Sequence, residues 1–160
     1  LLGLFLNKKT TPRLERLRAL SLFVNLTASE LNIVDALLHE RQFIKDEVIF
    51  DEGDQGEAIY IIIEGSVLIC RQGRPRDGQI IELGPGTFFG DLALLDNTVR
   101  SAQARAAVNT TLAVFFRADF MSLLESHGLI ASKLSLQLAR HIGRRLREAN
   151  KELAAVHAYE

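Results

Sequence analysis

Between residues 42 and 116 the chain changes its period, and that change limits the folds open to it more than any other feature. Ile, Val, Phe and Tyr become dense there, and Gly or Asp interrupts the run roughly every eight to twelve residues, the spacing of short strands joined by turns. A mainly β domain of the sandwich or roll kind follows, with strands at residues 42–44, 47–50, 58–63, 66–71, 79–83, 100–106 and 111–116. Glu64 and Gly65 are expected to make a tight hairpin between the third and fourth of these. The loop 72–78, which carries Arg74, Pro75, Arg76 and Asp77, reads as a solvated turn in preference to a basic patch for phosphate.

Helical spacing brackets the β region. Ahead of it, Leu14, Leu17 and Leu20, then Leu31, Val34, Leu37 and Leu38, predict two short helices with a break near Asn25. Thr27 and Glu30 have the spacing of a capping box, and Leu26 with Leu31 can staple it. Residues 1–13 read as a linker or frayed start, which leaves 14–160 as the domain, with the β-roll at 42–116 and C-terminal helices at 117–160. In the latter, Phe120, Leu123 and Leu124 mark a first helix, and a long one runs from about Ile130. Leu138, Ile142, Leu146, Ala149, Leu153 and Val156 line one narrow stripe along it, interrupted only by Gly143. Such a stripe can be a coiled-coil seam between two copies or can fold back on the chain's own roll. Its narrowness favours the seam, and hence a homodimer.

At 160 residues, 48% of them apolar and 24% charged, the chain is sized and composed as one globular domain, for which one functional site is sought. The net charge of −1 gives no electrostatic footprint for nucleic acid. Arg140, Arg144, Arg145 and Arg147 are diluted by Glu148 and Glu152. The lone cysteine, Cys70, cannot form an internal disulfide and reads as a small core residue, which suits a reducing, cytoplasmic setting. No stretch approaches the roughly 20 apolar residues that span a bilayer. Residues 1–6 are too short for a signal-peptide core, and a chain that starts on Leu1 reads as cut from a longer protein. His39, His127, His141 and His157 show neither metal-ligand spacing nor a nearby nucleophile motif, so neither a metal nor an enzyme is expected.

The chemistry concentrates in residues 86–102. Gly90 lets the backbone approach a ligand, and residues 92–95 can form one helical turn whose free N–H groups point back at that place. An anion suits such a position. Arg100 brings a planar fork of donors to the same anion, and Ser101 adds a hydroxyl or an N–H. Asp91 has the wrong sign for phosphate and the right chemistry for a ribose hydroxyl. Together these residues ask for a sugar phosphate.

Phe89-Gly90-Asp91-Leu92-Ala93-Leu94-Leu95, followed by Arg100-Ser101-Ala102, resembles the phosphate-binding cassette of the cyclic-nucleotide-binding domain family, which includes catabolite-activator regulators, kinase regulatory subunits and nucleotide-gated channels. Ile49-Phe50-Asp51-Glu52-Gly53-Asp54, Tyr60-Ile61-Ile62-Ile63-Glu64-Gly65 and Leu83-Gly84-Pro85-Gly86 resemble it in the family's order, so the likeness covers nearly everything after Leu22. The resemblance implies a jelly-roll-like β-roll (a double-stranded β-helix) with N-terminal helices and a long C-terminal helix. It implies a sensor for cyclic AMP or cyclic GMP, bound by Phe89, Gly90, Asp91, Leu92, Ala93, Arg100 and Ser101, with the last helix closing over the base.

Two features depart from the family's pattern. Asp91 stands where the family has Glu, which holds the carboxylate back by one carbon–carbon bond, about 1.5 Å. Arg145 and Leu146 stand where the activator regulators carry a Thr-Ser pair, leaving His141, Arg144 and Arg145 as candidates for the base or for plain solvation of the helix. The alternative reading is a domain that keeps the fold, has lost the nucleotide and serves as a dimerisation or docking module. A regulator of the activator class needs a winged helix-turn-helix after the long helix, and the sequence stops within that helix, so DNA binding by this chain is not expected.

Overall fold

The computed structural model describes residues 11–70 and 81–157, with side chains through residue 155. Two helices open it, α1 (Pro12–Arg18) and α2 (Ala28–Asp35). Thr11 caps α1 and Pro12 fills its first turn, so the helix starts two residues before Leu14. The capping box on α2 is present in both directions: the Thr27 side chain accepts from the Glu30 N–H, and Glu30 accepts from the Thr27 N–H.

Among the described residues eight strands follow: β1 (His39–Phe43), β2 (Val48–Phe50), β3 (Ala58–Glu64), β4 (Val67–Cys70), β5 (Ile81–Leu83), β6 (Phe88–Phe89), β7 (Gln103–Ala106) and β8 (Thr110–Phe116). They form two four-stranded antiparallel sheets, in the orders β1-β8-β3-β6 and β2-β7-β4-β5. The expected β-roll is therefore present. Three details of the sequence reading change. β6 was not anticipated, because two residues carry no period. Arg100 lies before β7 and not on it. Glu64 and Gly65 do not close a hairpin, since β3 and β4 belong to different sheets; they make the corner where the chain crosses between them. Thr110 fixes that corner, its hydroxyl accepting from the Ser66 N–H at 3.2 Å and lying 3.0 Å and 2.8 Å from the Ser66 and Val108 carbonyls. Loop 72–78 and the strand ends at Arg71, Gln79 and Ile80 lie outside the described residues. Cys70 is a free thiol, half-buried and not fully in the core.

The run from Ala58 to Ile63 is continuously apolar because the first sheet is covered on both faces. Ile59, Ile61, Ala113 and Phe115 face the helices, packed with Leu17, Phe23 and Val34. Ile62, Leu112 and Phe89 face the second sheet, packed with Val67 and Ala104.

Three further helices follow among the described residues: α3 (Leu92–Leu95), α4 (Arg117–Ser126) and α5 (Gly128–His157). The stripe predicted along α5 divides. Ile130, Ala131, Leu134 and Leu138 are buried in the helix-facing core, each large side chain contributing about 1.5–3 kcal/mol. Lys133 reinforces this half, donating to both Glu30 oxygens at 2.8 Å; that hydrogen bond is the main reason the Glu30 carboxyl titrates below its ordinary value. Ile142 is half-buried, whereas Leu146 and Leu153 are 60% and 58% exposed and Ala149 is exposed too. Leu138 thus belongs to the roll and drops out of the expected seam. Beyond Ile142 the roll does not cover the stripe.

Candidate functional site

The cassette hangs between β6 and β7. Phe88 and Phe89 enter from the edge of the first sheet, Gly90 turns the chain at φ +73°, and α3 follows at once. Only glycine serves at position 90. A Cβ there would lie 2.5 Å from Arg100 Nη1 and 3.3 Å from the Ala58 carbonyl, in a backbone region that side chains avoid. The α3 turn is as expected, but the Ala93 and Leu94 N–H groups donate to the Gly90 and Asp91 carbonyls at 3.2 Å and are already in use. Phe89 and Ala93 are buried, Leu92 is 44% exposed, and Ser101 is exposed.

Arg100 is brought to the cassette by backbone pairing across the loop after β2. Its N–H donates to the Asp54 carbonyl and its carbonyl accepts from the Gly53 N–H, both at 2.8 Å. Gly56 makes room, because a Cβ there would come within 2.9 Å of the Thr98 carbonyl and 3.0 Å of Ala93 Cβ. Gln55 and Arg117 hold the exit of the cassette, each donating to Asn97 Oδ1, at 2.7 Å and 2.8 Å.

The Arg100 side chain is only 7% exposed. Nη2 donates to the Ala58 carbonyl at 2.7 Å and Nη1 to the Gly90 carbonyl at 3.3 Å. Its Cζ sits 4.2 Å from the Phe50 ring centre and 5.4 Å from that of Tyr60, and Tyr60 in turn stacks on Phe89. Burial lowers the guanidinium from its ordinary pKa, with Tyr60, Asp54 and Glu57 opposing, and an arginine stays charged through such a change. Nε is buried with no hydrogen-bond partner among the described residues.

Asp91 is 3% exposed and begins α3, yet its side chain does not cap that helix. Oδ1 accepts from Arg145 Nη1 at 2.9 Å, and Oδ2 is buried without a partner among the described residues. A buried carboxylate and a buried guanidinium in one cassette thus leave one acceptor and one donor unspent. Leaving such groups unsatisfied costs about 1–3 kcal/mol each, more when they are charged. A molecule offering both a hydroxyl and an anion answers both.

From α5, His141 packs on Phe88 with ring centres 4.4 Å apart. Burial lowers its imidazole below the ordinary value, Asp91 opposing and Arg145 and Arg144 adding to the lowering. Arg145 meets Asp91. Arg144 is exposed and lines an open groove with Arg140, Gly143 and Arg147. The structure therefore brings Phe89, Gly90, Asp91, Leu92, Ala93, Arg100, His141 and Arg145 to one region, while Ser101 and Arg144 show outward. The sequence reading missed Phe50, Tyr60 and Gly56 as the surroundings of Arg100. Phe50 and Tyr60 are the single aromatic residues of β2 and β3, and no local pattern ties them or Gly56 to Arg100. Among the described residues no group of three or more His, Cys, Asp or Glu is placed to hold a metal ion, and no helix is long and apolar enough to cross a membrane.

The pattern of the cyclic nucleotide-binding domain matches residues 40–127, more than half of the chain, and includes the whole cassette. The cyclic AMP receptor protein of Thermus thermophilus is 37% identical over 135 residues, which are 82% of this chain and 60% of that protein. A putative potassium channel protein of Rhodopseudomonas palustris is 38% identical over 133 residues, 83% of this chain and 31% of the channel. The chain thus spans less than two thirds of either relative. The crystal structure of the Thermus thermophilus catabolite activator protein superposes with a TM-score of 0.75 at 34% identity, over 86% of this chain and 63% of that one. On the cassette, the two sheets and the matched pattern, this chain belongs to the cyclic nucleotide-binding domain family.

Proposed function

We propose that the chain is a sensor domain that binds a cyclic nucleotide at the cassette, and that it performs no catalysis of its own. One observation carries this reading: Arg100 Nε and Asp91 Oδ2, a buried donor and a buried acceptor, are both unpartnered among the described residues at the two ends of the same cassette. Arg100 and the backbone of 90–92 take the cyclic phosphate, Asp91 takes a ribose hydroxyl, and Ser101 adds a polar group at the rim. His141, already against Phe88, is the α5 side chain best set to face the base, while Arg145 is paired with Asp91. The name of the Thermus relative makes cyclic AMP the first nucleotide to try and cyclic GMP the second. A free thiol at Cys70 is compatible with a cytoplasmic location, which belongs to the same proposal. Titration calorimetry with both nucleotides tests it. Saturable heat with one ligand per chain is expected, and its absence with both nucleotides, on a chain whose fold is verified by circular dichroism, refutes the reading.

The same proposal includes a homodimer through the uncovered part of α5, centred on Ile142, Leu146 and Leu153. Replacing Ile142 and Leu146 together by Glu is expected to give a folded monomer, because unpaired charges buried in such a contact cost several kcal/mol. Sedimentation reads the outcome directly. A parent chain that already sediments as a monomer removes the seam.

A further inference from the structure

Asp91 has an occupant. A carboxylate meant for a ribose hydroxyl is held at 2.9 Å by a guanidinium that reaches it from 54 residues further on, out of the last helix. The two partners differ sharply in their freedom. The Asp91 side chain is 4% exposed and fixed in the cassette, whereas that of Arg145 is 59% exposed and anchored on a part of α5 whose neighbours Arg144, Leu146 and Arg147 all face water. Asp91 makes no side-chain cap to α3, so the hydrogen bond its carboxylate makes is the one to Arg145. The remaining oxygen, Oδ2, is shut from solvent with no partner among the described residues. A hydroxyl can therefore reach Oδ2 only if the carboxylate turns, which breaks the Oδ1 contact with the guanidinium, and the guanidinium is the partner that can leave into water.

We propose that Arg145 is a built-in competitor for the ribose position: it holds Asp91 until a ribose hydroxyl takes the carboxylate, so that it sets the affinity for nucleotide and couples entry of the sugar to release of the distal half of α5. This rests on the assignment of Asp91 to the ribose made above, and adds to it a residue whose opposition falls only on ligands that carry a 2′-hydroxyl. A cyclic nucleotide that lacks this hydroxyl has nothing to offer Asp91 and binds with the Arg145 pair intact. The competition is mild, because a pair with one partner mostly in water is a weak one.

Calorimetry on the parent chain, Arg145→Ala and Arg145→Lys, with cyclic AMP and cyclic GMP and the 2′-deoxy form of each, tests the competitor. Arg145→Ala is expected to bind the ribose ligand about two- to fivefold more tightly than the parent, the range of an exposed ion pair. The 2′-deoxy ligand should gain nothing, and Arg145→Lys, which keeps the charge, should stay nearer the parent. Weaker binding of both ligands by Arg145→Ala makes Arg145 a ligand contact and overturns the proposal. An equal gain for both ligands overturns it too, since the hydroxyl is then irrelevant. Binding by Arg145→Ala alone, with a silent parent, supports an unusually strong competitor. Silence from every variant with every ligand overturns the binding reading itself, and the competitor with it. Amide exchange before any nucleotide is added supplies the structural control: it should be faster across residues 141–153 in Arg145→Ala than in the parent, and equal rates overturn the pin.

Discussion

Replacing Arg100 by Ala is expected to lower affinity for the cyclic nucleotide by about thirtyfold or more, the equivalent of roughly 2–5 kcal/mol for truncating one partner of a desolvated charge pair. The structure gives this figure its reason. Arg100 is already buried and already charged, held by the Ala58 and Gly90 carbonyls and by the face of Phe50, so the cost of desolvating and orienting it falls on folding and not on binding. Arg100→Lys separates charge from shape. An ammonium keeps the sign but loses the fork that reaches two carbonyls with a third N–H to spare, so intermediate affinity is expected. Calorimetry beside circular dichroism makes the comparison. Unchanged affinity in a folded Arg100→Ala chain would mean that the phosphate lies elsewhere.

Gly65→Ala should produce the largest loss of stability of any small substitution in the β-roll, about 2–5 kcal/mol as the sum of a left-handed backbone and an overpacked corner. Gly65 sits at φ +84°, and a Cβ there would lie 2.5 Å from Thr110 Oγ1, 2.6 Å from the Asn109 carbonyl and 2.8 Å from Thr110 Cα. Two of those atoms are backbone and the third is fixed by its hydrogen bonds to the corner, so nothing nearby can give way. Gly84→Ala is the matched control, since a Cβ at that position meets nothing within 4 Å. It should stay within about 0.5 kcal/mol of the parent. Urea unfolding of the three proteins reads both values, and a Gly65→Ala chain as stable as Gly84→Ala would show that the corner yields.

That corner also marks where sequence reasoning runs out. Gly after an acidic residue at the end of an apolar run serves a hairpin and a sheet-to-sheet crossing equally well, because both need a positive φ and neither announces its partner strand. Local signals were legible for the opposite reason. The capping box at Thr27 and Glu30 involves residues three apart, and β3 and β8 announce themselves as short runs of β-branched and aromatic residues bounded by turn residues. The cassette was legible as a string, and its glycine and arginine are where that string requires them. The surroundings of Arg100 were not, since Phe50, Tyr60 and Phe89 come from three strands that only the sheet order brings together. The pair of Asp91 with Arg145 depends on where α5 leaves the roll. The α5 stripe shows the same limit: Leu138 and Leu146 have identical spacing and chemistry, yet one is fully buried and the other 60% exposed, because the roll ends between them.

The division of α5 at Ile142 has a mechanical meaning. The half before it is clamped by Leu134, Leu138 and the Lys133–Glu30 pair, and the half after it extends as one unbroken helix to His157. At about 1.5 Å per residue the projecting arm is about 20 Å long, so a tilt of roughly ten degrees at its root carries the far end about 4 Å. Asp91 holds this arm one turn from the fulcrum. The exchange of partners proposed there, involving atoms that move by little more than a hydrogen-bond length, would be enlarged at the tip to a displacement that a second molecule resting on Leu153 would have to follow.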